Sequence, residues 1–383
     1  MHNRLLILGT KGVPAQHGGF ETFAEDLSQY LVQKGWRVTV YCQEDWERTT
    51  IYETMWGRVR RVHIPVKQKG ALGSLIFNLK AVLHARNQAT LSLTLGYNTA
   101  IFNLLQKMRG KANIFNMDGL EYTRDKWGTL AKLWLILNER IACWSGTHLV
   151  ADHPVIETHL ARRTKEGRIT MIPYGAPVIS DASVQPLRDL DLEPGKYSTV
   201  IARPEPENSL LEIVEGFSRA PRGHTLVVLG DFDEKNSYHQ RVLAAASAEV
   251  LFTGAIYDKP TLTALRYHSY LYVHGHTVGG TNPSLVEALG AGNAVLARDN
   301  RFNRWVAGEE AAEYFSDANS VAAQFERLLD KPDLTHAMRK AARLRHAEQF
   351  TLEQVLADYE KMLNRYNPYA PDPEGWEKYL DDE

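Results

Sequence analysis

The chain has 383 residues, a formal net charge of −2 and only two cysteines. That length allows two or three domains with sizeable cores, and the charge excludes a global electrostatic case for nucleic acid. Cys42 and Cys143 are too few for a disulfide framework or a cysteine metal cluster, which suits a reducing cytosol and predicts no metal site.

The opening MHNRLLILG reads as a first strand and not as a signal peptide. A long loop, TKGVPAQHGG, follows it. Phe20, Phe23, Leu27, Tyr30 and Leu31 then recur at helical spacing, and Gly35 ends the helix. Residues 38–42 make the second strand, so the chain opens as a βαβ unit, although Gly9-Thr10-Lys11-Gly12 is not the dinucleotide fingerprint. Gly18 and Gly19 stand at the helix start, where they either face a phosphate or sugar or simply admit the helix.

Between Thr54 and Met117 there are ten Lys and Arg and no acid. Leu75, Ile76, Phe77, Leu79, Val82 and Leu83 form an apolar stripe among these charges. The expectation is either a core helix under a solvated basic face or contact with an anionic membrane surface through residues 54–117. No apolar run reaches the ~18 residues needed to span a bilayer. The expected place is therefore the cytoplasm, with peripheral attachment to the inner face of the plasma membrane.

Residues 92–95, 112–116, 147–151 and 169–172 read as further strands, and 130–143 as a helix. In an open parallel sheet the loops after strand ends line the ligand crevice. Asp118 and Glu121 follow the strand at 112–116, and Asp152 and His153 the strand at 147–151. Asp118 and Glu121 are thereby candidate acids or hydroxyl binders, with a structural turn as the alternative for Asp118-Gly119.

Residues 179–196 lack a period and read as a linker. Strands at 197–202, 225–229, 250–253, 270–273 and 294–297 then alternate with helices, a second doubly wound parallel sheet. Arg203, Gly230, Gly254 and Gly275 each follow a strand and should meet at one crevice edge. The stretch HGHTVGGTNPSLVEALGAG is the most informative in the chain. Its glycines feed a helix capped by Asn282 with Pro283 in the first turn, a site that favours a phosphate or diphosphate. Glu287 lies one turn in, on a line toward a ribose hydroxyl pair. Three helices, at 320–329, 334–349 and 352–366, precede an acidic tail at 372–383.

ILGTKGVPAQHGGFETFAEDL, NMDGLEYTRDKWG, ADHPVI, IARPEPEN and HGHTVGGTNPSLVEALGAG together resemble glycosyltransferase family 4, and more closely a bacterial rhamnosyltransferase-like subfamily. The resemblance covers nearly the whole chain. It implies a GT-B fold: two doubly wound Rossmann-like α/β domains facing a central cleft, with C-terminal helices crossing back toward the N-terminal domain. The expected domains are 1–178 for the acceptor, 179–196 as linker, 197–350 for the nucleotide-sugar, and 351–383 as crossing helix and tail.

The implied activity is transfer of a sugar, with retention and without a metal or cofactor, onto a saccharide or lipid-linked saccharide. L-rhamnose from a dTDP donor is the expected sugar. A UDP- or GDP-hexose, or a catalytically silent scaffold, is the alternative. On this resemblance Arg203 holds the diphosphate and Glu287 the ribose. Gly279, Gly280, Thr281 and Asn282 meet the diphosphate or sugar, Ile256 lies near the base, and Gly18 and Gly19 face the donor. Asp118, Asp152 and His276 are the catalytic candidates, and Glu21, Glu121 and His153 the acceptor candidates. Two positions depart from the broader family: Gly279 stands where a second glutamate is common, and Asn208 where a base is common. Asp231-Phe232-Asp233 matches a metal-binding DxD pattern, here read as a loop coincidence.

Overall fold

The computed structural model describes residues 3–16, 18–45, 49–88 and 90–366, and the acidic tail foreseen at 372–383 lies outside the described residues. The chain divides into two compact units, one of residues up to Ile172 with those from Leu356 on, the other Pro173–Val355.

The first unit begins with β1 (Arg4–Leu8), α1 (Gly19–Gln33), β2 (Arg37–Asp45), β3 (Tyr52–Trp56), β4 (Val59–Val66) and α2 (Gly70–Ala85). It continues with β5 (Leu91–Leu95), α3 (Ala100–Lys107), β6 (Asn113–Asn116), α4 (Thr129–Ser145), β7 (His148–Ala151), α5 (Pro154–Ala161) and β8 (Ile169–Met171). Its eight strands run in the order β3-β4-β2-β1-β5-β6-β7-β8, all parallel except β3, which pairs antiparallel with β4. A parallel sheet covered on both faces needs strands that are apolar throughout, as the buried Leu5–Leu8 and Leu91–Leu95 are.

Phe77 and Val82 of the stripe on α2 belong to this core. Phe77, Ala81, Val82 and Ala85 pack on Leu6, Leu8, Val62 and Ile64, and Ile76 is half-buried against them. Burying Phe77 and Val82 contributes about 1.5–3 kcal/mol each to the fold. The bases nearby are also engaged. Both Glu53 oxygens accept from Arg60, while Arg61 donates to Thr54 Oγ1 and to the Val13 carbonyl. Arg58, Lys67 and Lys69 are exposed.

The second unit holds α6 (Gln185–Arg188), β9 (Tyr197–Ile201), α7 (Leu210–Phe217), β10 (Thr225–Leu229), α8 (Ser237–Ala244), β11 (Val250–Gly254) and α9 (Lys259–Tyr267). Then come β12 (Leu271–His274), α10 (Pro283–Gly290), β13 (Ala294–Arg298), α11 (Arg301–Ala311), β14 (Ala312–Phe315), α12 (Ala318–Asp330) and α13 (Pro332–Gln349). Its six parallel strands have the order β11-β10-β9-β12-β13-β14. This is a doubly wound sheet whose direction of winding reverses between β9 and β12. The stretch 179–196 is more than a linker: α6 buries Leu187, which with Leu192 packs on Tyr197, Ala264 and Leu265. The last helix, α14 (Leu352–Asn364), starts in the second unit and ends in the first. No helix among the described residues is long and apolar enough to cross a membrane.

Candidate functional site

In the second unit the loops after β9 and β12 meet at the point where the winding reverses. The loop after β9 carries Arg203, whose carbonyl accepts from Asn208 Nδ2 at 2.8 Å. Asn208 is buried, so the residue standing where a basic group was foreseen holds the loop in shape. Thr277 ties the β12 loop to it, donating to the Glu207 carbonyl from its N–H at 2.9 Å and its Oγ1 at 3.0 Å. A Cβ on Gly275 would lie 2.0 Å from the Asn208 carbonyl oxygen, so only glycine allows this approach.

Beyond it Gly279 has φ +133° with open space around its Cα, and Gly280 and Thr281 are buried. Asn282 caps α10 by accepting from the Ser284 N–H at 3.1 Å, with Pro283 at the first helical position, as foreseen. The helix N-terminus is thereby fixed with the positive end of its dipole at the strand ends.

His274 and His276 stack with centroids 4.4 Å apart. Burial pushes the His274 pKa well below the usual histidine range, so that ring is neutral, and neither of its nitrogens has a hydrogen-bond partner among the described residues. The His276 carbonyl accepts from Asn300 Nδ2 and Asn303 Nδ2, both at 2.9 Å, which anchors the turn.

Glu287 is not solitary. One carboxylate oxygen pairs with Arg266, whose side chain is 9% exposed against 34% for Glu287. Arg266 orients the carboxylate, a partnership between α9 and α10 that no local sequence pattern signals. A cavity of about 410 Å³ at the ends of β9, β10 and β11 is lined by Arg203, Gly230, Asp231, His239, Ile256 and Tyr257, among others. Arg203 and Ile256 thus share one cavity, whose lining does not include Gly279–Glu287. Of the DxD pair, Asp231 lines it, while Asp233 accepts from the Lys235 N–H at 2.9 Å. Among the described residues no three His, Cys, Asp or Glu side chains converge as a metal site.

In the first unit, Gly18 (φ +95°) precedes α1 and Gly19 begins it. Glu21 Oε1 accepts the Lys11 N–H at 3.0 Å and holds the long loop after β1. Two cavities flank this point, of about 520 and 530 Å³, and share Lys11, Glu21 and Gln43. The smaller is polar, with Glu44, Asp45, Tyr52 and Arg61 in its wall. The other is apolar, with Phe20, Leu75, Leu95, Trp127 and Trp134. Sequence reasoning found Glu21 but missed the two tryptophans, whose spacing of seven residues was the available signal.

The remaining candidates lie outside both cavities. Asp118 has φ +49° and donates its N–H to Asn116 Oδ1 at 3.0 Å. Burial raises its pKa above the usual carboxylate range, against the pull of the Gly119 N–H. Glu121 is engaged with its own neighbours. Its carboxylate already holds Arg124 at 2.7 Å, Lys126 at 3.0 Å and Trp127 Nε1 at 3.0 Å. His153 is a helix cap: fully buried, its Nδ1 accepts the Val155 N–H at 3.1 Å at the start of α5. Asp152 beside it is also buried.

Residues 2–177 match the family model described as "Domain of unknown function (DUF1972)", and residues 211–361 the one described as "Glycosyl transferase-like". No curated protein matches the chain. Similar solved structures include sucrose-phosphate synthase from Thermosynechococcus elongatus, with TM-score 0.77, 17% identity, and 95% of this chain and 99% of that one covered. HepE of Anabaena in complex with UDP is similar at TM-score 0.74 and 13% identity, over 95% of this chain and 100% of that one. The UDP-forming α,α-trehalose-phosphate synthase from Burkholderia xenovorans, in complex with glucose-6-phosphate, gives TM-score 0.74 and 13% identity over 94% and 100%. The fold is that of GT-B glycosyltransferases, with two Rossmann-like sheets, and its second half is glycosyl transferase-like.

Proposed function

We propose that the protein is a retaining glycosyltransferase that moves a hexosyl group from a nucleotide-sugar to a saccharide or lipid-linked saccharide. The observation that carries this reading is the meeting of the Arg203 loop and the Asn282-capped helix where the second sheet reverses its winding. A cation and a helix N-terminus there suit a diphosphate, first as ligand and then as leaving group. Glu287, oriented by Arg266, offers its remaining oxygen to a ribose hydroxyl. Ile256 and Tyr257 supply apolar surface for the base.

In the reaction the bond from the sugar C1 to the diphosphate oxygen breaks as the acceptor oxygen bonds to C1. The acceptor proton passes to the departing phosphate oxygen. Arg203 and the α10 dipole stabilise the charge that develops there, the part a metal plays elsewhere. His276 borders the sugar from the anchored turn. The polar and apolar cavities that share Lys11, Glu21 and Gln43 suit an acceptor with a saccharide end and a hydrocarbon end. Such an acceptor places the protein at a membrane surface on its cytoplasmic side.

For the donor, the resemblance of the motifs favours dTDP-L-rhamnose. A UDP-hexose is the second reading, supported by the UDP named with HepE and with the trehalose-phosphate synthase. A thermal-shift panel of dTDP-, UDP- and GDP-sugars decides between them, because a ligand that binds only the native state raises its stability by mass action. Absence of any shift, and of nucleoside diphosphate release with acceptor, would leave a silent scaffold as the better reading.

A further inference from the structure

Helix α4 has two apolar sides. Its inward side buries Leu135, Ala142 and Cys143. On the opposite side Leu130, Leu133, Leu137 and Trp144 are 84%, 58%, 49% and 64% exposed. Their spacing of three, four and seven residues puts them on one stripe. Single exposed leucines need no explanation, but a continuous stripe on one helix does.

The charges along the stripe are mostly basic. Arg140 is exposed beside it, and Lys107 and Arg109 flank the exposed Met108 at the end of α3. The only acid within α4 is Glu139, which is buried and paired with Arg163 and His159. Before its N-terminal end the exposed Asp125 lies 3.9 Å from Lys132. Lys107 lies 3.8 Å over the Trp144 ring and donates to the Trp144 carbonyl at 3.1 Å. A tryptophan with a lysine over its ring is the chemistry of a headgroup layer, and leucines between bases that of an interfacial helix. The same helix contributes Ala131, Trp134 and Leu135 to the apolar cavity, so the stripe borders the place where a hydrocarbon chain would enter.

We infer that the outer face of α4 docks on an anionic bilayer, with its leucines among the acyl chains and Lys107, Arg109 and Arg140 at the phosphates. This deepens the proposed use of a lipid-linked acceptor and rests on that reading for its biological purpose. It also sets the membrane contact on the ridge formed by α3 and α4 and not on residues 54–66, where Arg60 and Arg61 are engaged within the fold.

The test is cosedimentation of the full chain with vesicles of phosphatidylglycerol and phosphatidylcholine in equal parts, and with phosphatidylcholine alone. Binding is expected to the anionic vesicles only and to weaken with salt. Leu133→Asp with Leu137→Asp should lower the vesicle partition coefficient by about a hundredfold without changing the melting temperature, since both side chains are exposed. Arg58→Glu should change it little. Unchanged binding in the leucine variant, or loss in Arg58→Glu instead, overturns the assignment. So does a concentration-dependent dimer, seen by light scattering, that the same leucine variant abolishes, because the stripe would then face a second copy. Nucleotide-sugar binding and transfer to a water-soluble acceptor should be unaffected in the leucine variant. Anionic vesicle binding through α4 in a protein that transfers no sugar would keep the surface and overturn the transferase reading instead.

Discussion

Replacing Glu287 and Arg203 one at a time separates support of the fold from binding of the donor. Glu287→Ala removes the partner of Arg266, whose side chain is 9% exposed. Stranding a charge from a fully buried pair costs about 3–5 kcal/mol, whereas exposed pairs contribute about 0–1 kcal/mol. Glu287 is 34% exposed, so solvent screens part of the effect and about 2 kcal/mol is expected. For a unit of this size that lowers the melting temperature by about 4–8 °C. The lost charged hydrogen bond to ribose should further weaken donor binding by about 10- to 100-fold, from about 1.5–3 kcal/mol. Arg203 differs: it is exposed, and its backbone carbonyl, not its guanidinium, holds Asn208. Arg203→Ala should therefore weaken donor binding to a similar degree while moving the melting temperature by less than about 2 °C. Calorimetric melts and titrations with the best nucleotide-sugar read both quantities. Wild-type affinity in both variants would remove the donor site from this crevice. An unchanged melting temperature in Glu287→Ala would show that Arg266 does not depend on it.

Gly275→Ala should destabilise the second unit by on the order of 3 kcal/mol, seen as a lower urea midpoint, because the new Cβ would sit 2.0 Å from the Asn208 carbonyl oxygen. His224 should make stability fall in mild acid. Burial chiefly lowers its pKa to about 4, so the unfolded chain, with a value near 6.5, binds the proton first. Its contribution is intact above pH 6.5 and is lost as pH falls toward 4, about 1–3 kcal/mol, and urea midpoints of His224→Gln should show a flatter profile there. Transfer activity should survive EDTA, with Arg203 and the α10 terminus carrying the diphosphate; loss restored by manganese would make Asp231 and Asp233 ligands. Proton NMR of the product should show the donor's anomeric configuration kept, and inversion would refute the proposed same-face attack.

The parts of the fold legible in the sequence are those with local causes. Asn282 and Pro283 mark the start of α10 because capping involves residues two or three apart. The strand at 270–273 is observed as β12, shifted by one residue. The hairpin of β3 and β4 was not foreseen. Arg60 and Arg61 interrupt its apolar pattern; Glu53 across the sheet balances Arg60, and Arg61 donates to the Thr54 hydroxyl and to the Val13 carbonyl on the loop after β1. α11 and β14 escaped for another reason: Gly308, at φ +72°, breaks the helical pattern just before a four-residue strand. At the site, Arg203 and Glu287 were visible from their place after strands. Arg266 was not, because it meets Glu287 only once α9 and α10 pack side by side. Glu121 and His153 carry local structural tasks that the sequence did not signal: one pairs with Arg124 and Lys126 and accepts from Trp127, and the other caps the start of α5.

The return of α14 to the first unit bears on the order in which the newly made chain can fold. Tyr359, Met362 and Leu363 are buried there; Tyr359 accepts from Asn116 Nδ2 at 2.8 Å, and Glu360 accepts from Tyr30 and Trp36. The unit translated first therefore lacks a wall of its own core until residue 363 has left the ribosome. Residues 173–355 form a contiguous stretch and do not have to wait. The second unit should accordingly be complete while the first is still open, with the apolar surface around Phe23 exposed to chaperones in the interval. A fragment ending at Ile172 would reproduce that interval permanently, and should be recovered aggregated unless a peptide spanning residues 352–366 is supplied with it.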